Sequence, residues 1–391
     1  MPAIVASDKP TLVADFLFAG SGGFLVYTAG LRRTHRNFSV VASSRLEDLA
    51  AAVRCFEVLK RGGSTAEFVA ACDRVRHERT PAPAPVRCAA DPLQVAGIGA
   101  CLEAMKRSKL IVVGSKMQSV VKEVEKTLGI GIIELDFREL RAAYEKSDRA
   151  EARRIAAGWK ERARQVTLAQ ADDTLEKSAR QYLAQRAVLE QHQAEAITIN
   201  CLGGFYGGQL TAYPCLGYVE LLDHGLVGAC EADLFSTVTM IAMKHLVGRP
   251  GYISDPVLDT SKRQIIYAHC VASTRMFGPS GPSVPFEILT HAEDNRGASV
   301  RSFLPFGYMT TTLQIHPGKR QMLCHRARAV ENIVHDRGCR TKLAGEVVGD
   351  FERLFTFSDQ YGWHRVTFYG DLRDPARELA TALHYRFVEE A

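Results

Sequence analysis

Two hydrophobic rhythms divide this chain. Up to about residue 250, short apolar runs alternate with stretches whose apolar residues recur every three to four positions. Thr11 to Ala19 reads as a mostly buried strand, and Gly20-Ser21-Gly22-Gly23 as a turn into a helix ending near Arg33. Asn37 to Ala42 reads as a second strand, and Leu46 to Lys60 as an amphipathic helix stopped by Gly62-Gly63. Thr80 to Pro85, with three prolines, is a stiff loop, and a helix is predicted over 91–107. A second unit opens at Lys109-Leu110-Ile111-Val112-Val113-Gly114. Helix 116–127, strand 130–135, a long charged helical region 137–192 and the strand Ala196 to Cys201 follow. Helices are predicted over 215–225 and 234–247, the latter ending at Gly248. Beyond this, strand-like runs recur at 264–269, 284–289, 299–304, 308–315, 341–348 and 363–369, with a final helix near 375–384.

The expectation is an α/β protein: two α/β domains with parallel sheets, then a β-rich C-terminal domain built as a barrel or sandwich. The predicted boundaries are 1–107, 108–250 and 251–391. Ligands gather at the carboxyl edges of parallel strands, and Cys201 opens one such edge.

Composition narrows the function. The chain has 391 residues, a net charge of +5 and 24% charged residues, with acids and bases interleaved, so no nucleic-acid footprint stands out. Ten dispersed cysteines fit reduced thiols in a cytoplasmic protein, and the first residues lack the order of a signal peptide. The apolar stretch 12–31 holds Asp15 and several glycines and runs into Arg32 and Arg33, which argues against a membrane span.

The candidate chemistry lies in Cys230-Glu231-Ala232-Asp233-Leu234, Asp255-Pro256, Ala268-His269-Cys270 and Trp363-His364. Two carboxylates and an imidazole can hold a divalent cation and leave positions open for substrate oxygens. Each residue also has a plainer reading. Glu231 can complement a helix dipole, although Asp233 is better placed for that. Asp255 can be a turn aspartate, with Asp259 its competitor. His269 ends an apolar strand and can be a core residue, and His364 lies in an alternating strand. Cys324, His325, His335 and Cys339 are zinc-compatible types without a CxxC pair, and Gly20 to Gly23 is a weak anion cradle.

In this order the segments resemble the L-fucose isomerase-like family, relatives of the L-arabinose isomerases. The likeness is carried by Ala196 to Cys201, Pro214-Cys215, Cys230 to Leu234, Asp255 and Ala268-His269-Cys270. His291-Ala292-Glu293, Gly338 to Thr341 and Trp363-His364 with Tyr369-Gly370-Asp371 extend it. The resemblance implies a divalent ion, most often Mn2+, held by Glu231, Asp255 and His364, with His269 as a further ligand or beside the ligands. It implies an aldose–ketose isomerase working on a sugar or sugar-like hydroxycarbonyl compound through a metal-stabilised enediolate, with Glu231 and Asp255 moving protons. It also implies a homo-oligomer, trimer or hexamer. Many relatives have a polar residue before the late histidine; here Trp363 offers an indole to stack on the substrate. The same ion could serve a carbon–carbon lyase acting on a ketose-like compound. A non-catalytic carbohydrate-binding relative is the third reading.

Overall fold

A computed structural model describes residues 7–17, 24–115 and 117–391, so the glycine turn at 20–23 lies outside the described residues. Strands β1 (Thr11–Phe16) and β2 (Phe38–Ser43) pair in parallel, with Thr11 opposite Phe38. All six residues of β2 are buried. Phe38, Val40 and Ala42 face one way, into a core shared with later strands, whereas Val41 packs on Leu49 behind. That is the two-residue period of a strand buried on both faces. The predicted helix 46–60 breaks at Cys55 into Leu46–Arg54 and Phe56–Lys60. The helix predicted from 91 begins only at Ile98, because Asp91 is drawn out to Arg249 (2.6 Å) and Pro92 cannot continue a helical ladder.

The second unit contains β3 (Lys109–Val113), β4 (Gly131–Leu135), β5 (Gln165–Thr167), β6 (Ala196–Ile199) and β7 (Val227–Ala229). Four of these form a parallel sheet in the order β4-β3-β6-β7. The charged region 137–192 resolves into three helices, Phe137–Lys146, Arg149–Arg162 and Ala171–His192, interrupted by β5. Asp136 and Asp148 cap the first two by accepting from backbone N–H groups. Helix Cys215–Asp223 lies so close on β7 that a Cβ at Gly228 would sit 2.9 Å from the Tyr218 Cα.

The C-terminal region holds β8 (Tyr252–Asp259), β9 (Gln264–His269), β10 (Phe286–Leu289), β11 (Ser299–Ser302), β12 (Met309–His316), β13 (Gln321–Asn332), β14 (Thr341–Val348), β15 (Arg365–Tyr369) and β16 (Arg386–Glu389). The ladder β12-β15-β8-β9-β14-β13 returns to β12, so these antiparallel strands close into a barrel. Between a barrel and a sandwich, the structure decides for the barrel. β16 adds to β13 in parallel, and β11-β10-β5 forms a small separate sheet in which β5 is the partner from the α/β unit.

The barrel is packed on two sides. Leu17, Phe24, Leu25 and Phe38 meet Tyr252, Ile265 and Leu343 on one of them. On the other, helix Leu234–Val247 lies against β12, and Thr239 Oγ1 accepts from the Ile315 N–H (2.9 Å). This helix therefore sits between the parallel sheet and the barrel, and its N-terminus follows directly from the carboxyl edge of β7. No helix among the described residues is long and apolar enough to cross a membrane.

Candidate metal centre

The site forms where the carboxyl edge of the parallel sheet meets one rim of the barrel. β7 ends at Ala229, and the chain turns through Cys230 and Glu231 before helix Leu234–Val247. Glu231 (φ 64°) and Ala232 (φ 52°) are both left-handed. Two such non-glycine residues in succession cost on the order of 1–3 kcal/mol each. The surrounding hydrogen bonds hold the turn in place. Ala232 N–H donates to Ile199 O (3.0 Å), Asp233 N–H to Cys230 O (3.3 Å), and Thr198 Oγ1 to Ala229 O (3.1 Å). The turn is thereby fixed with the Glu231 carboxylate aimed at the barrel.

The other three groups come from adjacent strands. His364 immediately precedes β15, Asp255 lies on β8 and His269 ends β9. Arg365 is opposite Ser254, and Asp255 is opposite Ala268, so all three reach the same rim. Asp255 is thus a strand residue, not the turn aspartate that its sequence also allowed. His364 Nε2 is 3.6 Å from Glu231 Oε2 and 3.6 Å from Asp255 Oδ1. His269 Nε2 is 3.6 Å from Glu231 Oε1, and the two imidazole centroids are 5.1 Å apart. Among the described residues, Glu231, His269 and His364 form a set that could hold an ion, with ligand atoms all within 4.8 Å of one another. Asp255 joins through His364.

These distances are too long for hydrogen bonds. Asp255 Oδ1, His364 Nε2 and both ring nitrogens of His269 are buried without a hydrogen-bond partner. Burying such atoms unpaired costs about 1–3 kcal/mol each. The arrangement suits a cation that would satisfy them together. Two imidazoles and two carboxylates also form a donor set for a divalent ion of the first transition row. Glu231 differs from the rest: its side chain is 36% exposed, against 3% for His269, 4% for His364 and 14% for Asp255. It is the group that faces outward.

Asp233 orients His364. Its carboxylate accepts from His364 Nδ1 (2.9 Å), from Ser236 N–H (3.0 Å) and from Ser236 Oγ (2.7 Å). The helix cap and the imidazole share one carboxylate, which leaves Nε2 of His364 for the centre of the site. Sequence reasoning gave Asp233 only the helix role. The Asp-x-x-Ser capping pattern was the available signal, and it says nothing of a histidine 131 residues away.

Electrostatics within the cluster balance internally. Burial works to lower the His269 pKa, but the adjacent Glu231 carboxylate, with Asp255, pushes it up to about 9. Burial likewise opposes the charged form of His364, and Asp233 and Asp255 raise its pKa regardless. Burial raises Asp255 above the usual carboxylate range despite both imidazoles. Burial also disfavours ionised Glu231, yet the His269 and His364 charges hold it below its ordinary value. Protons on the histidines thus occupy the electrostatic place that a bound cation would take.

The remaining expectations fall as follows. Trp363 is 39% exposed and meets Tyr27 edge to face at 5.6 Å. His291 stacks on Tyr213 (4.3 Å) and touches the Cys270 thiol, outside the ion-binding set. Asp259 ties the barrel to the N-terminal strands, accepting from Ser44 Oγ (2.6 Å) and Ser261 N–H (3.0 Å). The zinc alternative does not assemble among the described residues. His325 points into the barrel, with Nε2 2.8 Å from Tyr267 Oη and Nδ1 2.8 Å from Glu390.

No protein-family model matches the chain. Curated relatives do. The sulfoquinovose isomerases of Priestia aryabhattai and Priestia megaterium are each 23% identical to it over 270 residues, covering 67% of this chain and 58% of their own. The sulfoquinovose isomerase of a Clostridium species is 24% identical over 277 residues, with the same shares. The chain thus resembles sugar isomerases and spans a little over half the length of these relatives. These relatives do not show the narrower L-fucose isomerase-like assignment.

Proposed function

We propose that this protein is a metal-dependent sugar isomerase that interconverts an aldose and its ketose. The observation that carries the reading is the convergence of buried, unpartnered Asp255, His269 and His364 atoms on the Glu231 carboxylate. Glu231, Asp255 and His364 would hold a divalent ion, with His269 beside them, and Mn2+ is the ion to try first. When bound, such an ion supplies positive charge beside the carbonyl and hydroxyl oxygens of a sugar.

The chain's own groups do the rest. Glu231 faces outward from the otherwise buried cluster, so it is the group that reaches a substrate carbon and accepts its proton. Asp255, whose Oδ1 lies 3.6 Å from the same His364 Nε2, serves the hydroxyl proton. Asp233 fixes the His364 ring, so that residue need not reorganise during the reaction. Trp363 presents an aromatic face for the apolar side of a sugar ring. A homo-oligomer, trimer or hexamer, is part of the same proposal.

The relatives' name makes sulfoquinovose the first substrate to test. The protein with Mn2+ would be incubated with it in heavy water and followed by proton NMR. Deuterium entering at the carbon beside the carbonyl, with the carbon count unchanged, is expected. Smaller carbon fragments would replace isomerisation with cleavage. A protein that binds no divalent ion would sink the metal reading.

A further inference from the structure

Inside the barrel, below the rim, lies a polar cluster that the proposed reaction does not use. Arg365 follows His364 in the chain, and its side chain is 1% exposed; that of Glu390 is 2% exposed. We infer that Arg365 and Glu390 are positioning residues, a buried pair that fixes the loop carrying Trp363 and His364. The inference rests on the metal reading of the site above.

The geometry accounts for every guanidinium N–H. Nε and Nη2 donate to Glu390 Oε1 (3.2 and 2.9 Å). Nη1 donates to His364 O (2.9 Å) and Gly362 O (3.3 Å), and Nη2 also donates to Ser358 O (3.4 Å). One side chain thus gathers three carbonyls spread over the loop. Gly362 lies in the left-handed region (φ 84°), which lets the loop curl back onto the guanidinium. Glu390 is anchored in turn. Its Oε2 meets His325 Nδ1 (2.8 Å), and its own N–H donates to Cys324 O (2.7 Å). Lys319 to Gln360 O, an exposed hydrogen bond to backbone, and Arg33 to Asp359, an ion pair near the surface and of small worth, also hold the loop.

Energetics favour positioning over stability. Replacing a buried ion pair by apolar residues of similar volume is often neutral or stabilising. An apolar pair would fill the barrel equally well, but it could not bind the carbonyls of Ser358, Gly362 and His364. What this pair provides is a defined backbone path at Ser358, Gly362 and His364, immediately before the imidazole.

The test uses the full-length protein and two variants. Glu390→Gln keeps the shape and removes the charge. The double variant Arg365→Met with Glu390→Leu removes the buried charges and guards against misfolding. Mn2+ affinity would be measured by calorimetry and amide exchange by mass spectrometry. The expected result is a folded double variant that binds Mn2+ 10- to 100-fold more weakly, the loss typical when groups outside the ligand set are removed. Exchange at 358–364 should rise in the same variant. A folded double variant with wild-type Mn2+ affinity, or with unchanged exchange there, overturns the inference. Wild-type protein that fails to bind Mn2+ instead overturns the metal reading, and this inference with it.

Discussion

Two polar clusters meet at the barrel, each with a glutamate and at least one histidine, one at its rim and one inside. Inside, Tyr267, His325, Glu390 and Arg365 bond to one another, and every guanidinium N–H has an acceptor. At the rim, Glu231, Asp255, His269 and His364 stand 3.6 Å apart with buried atoms unpaired and the backbone strained. Both clusters are largely buried, and completeness of hydrogen bonding is what separates them. A saturated cluster serves structure, whereas an unsaturated one held in strain is kept for something that binds.

The largest effect that would separate the two belongs to Glu231. Glu231→Gln is expected to lower turnover by about 10²- to 10⁴-fold, the usual worth of a proton-transferring group, with the far-UV circular dichroism unchanged. Full turnover in that variant would remove the distinction drawn here. Next comes ion binding. Mn2+ at about a hundred times its Kd should stabilise the wild type by about 2.7 kcal/mol, and His364→Ala should abolish the shift in thermal melting. Asp233→Asn, which keeps a capping oxygen for Ser236 N–H but removes the carboxylate that orients His364, should weaken Mn2+ binding by about 10- to 100-fold while preserving the fold.

Acid should affect the clusters in different windows. At the rim, His269 must lose its proton before a cation can sit beside it, and its pKa stands at about 9. Mn2+ affinity should therefore fall as pH drops below that value, by about tenfold per unit for each proton displaced. Calorimetry in buffers of differing ionisation heat would detect the released protons. Inside, burial opposes ionised Glu390, but Arg365 and His325 hold its pKa at about 2. A depressed carboxylate stabilises the fold above its unfolded value near 4.3 and loses that contribution as pH falls toward 2. Stability from urea melts should fall more steeply between pH 5 and 2 in the wild type than in Glu390→Gln. The smallest effect concerns strain. Ala232→Gly should stabilise the protein by about 1 kcal/mol, because glycine occupies the left-handed region freely.

Much of the rim was legible in the chain. A carboxylate just before a capped apolar helix and a histidine ending an apolar run both follow from periodicity, so Glu231 and His269 were placed on the right kinds of element. β8 was missed because Pro256 argues against a central strand. The structure explains the exception: β15 covers only Tyr252 to Ser254, leaving β8 with an edge-like side at Pro256. β13 was missed because a barrel interior that houses His325 against Glu390 spoils the alternation of apolar and polar positions. His364 was expected within a strand but sits one residue before it, on the loop that Arg365 gathers. Nothing in the residue types at 231–232 announced left-handed backbone, since neither is glycine or asparagine.

Only three residues long, β5 nevertheless lies along β10, with the Arg164 N–H donating to Phe286 O (2.8 Å). A chain cut between the α/β unit and the barrel would leave Glu287 to Leu289 with an open flank of amide and carbonyl groups. Such a flank invites pairing with a neighbouring molecule, so the barrel expressed by itself should precipitate where the uncut protein does not.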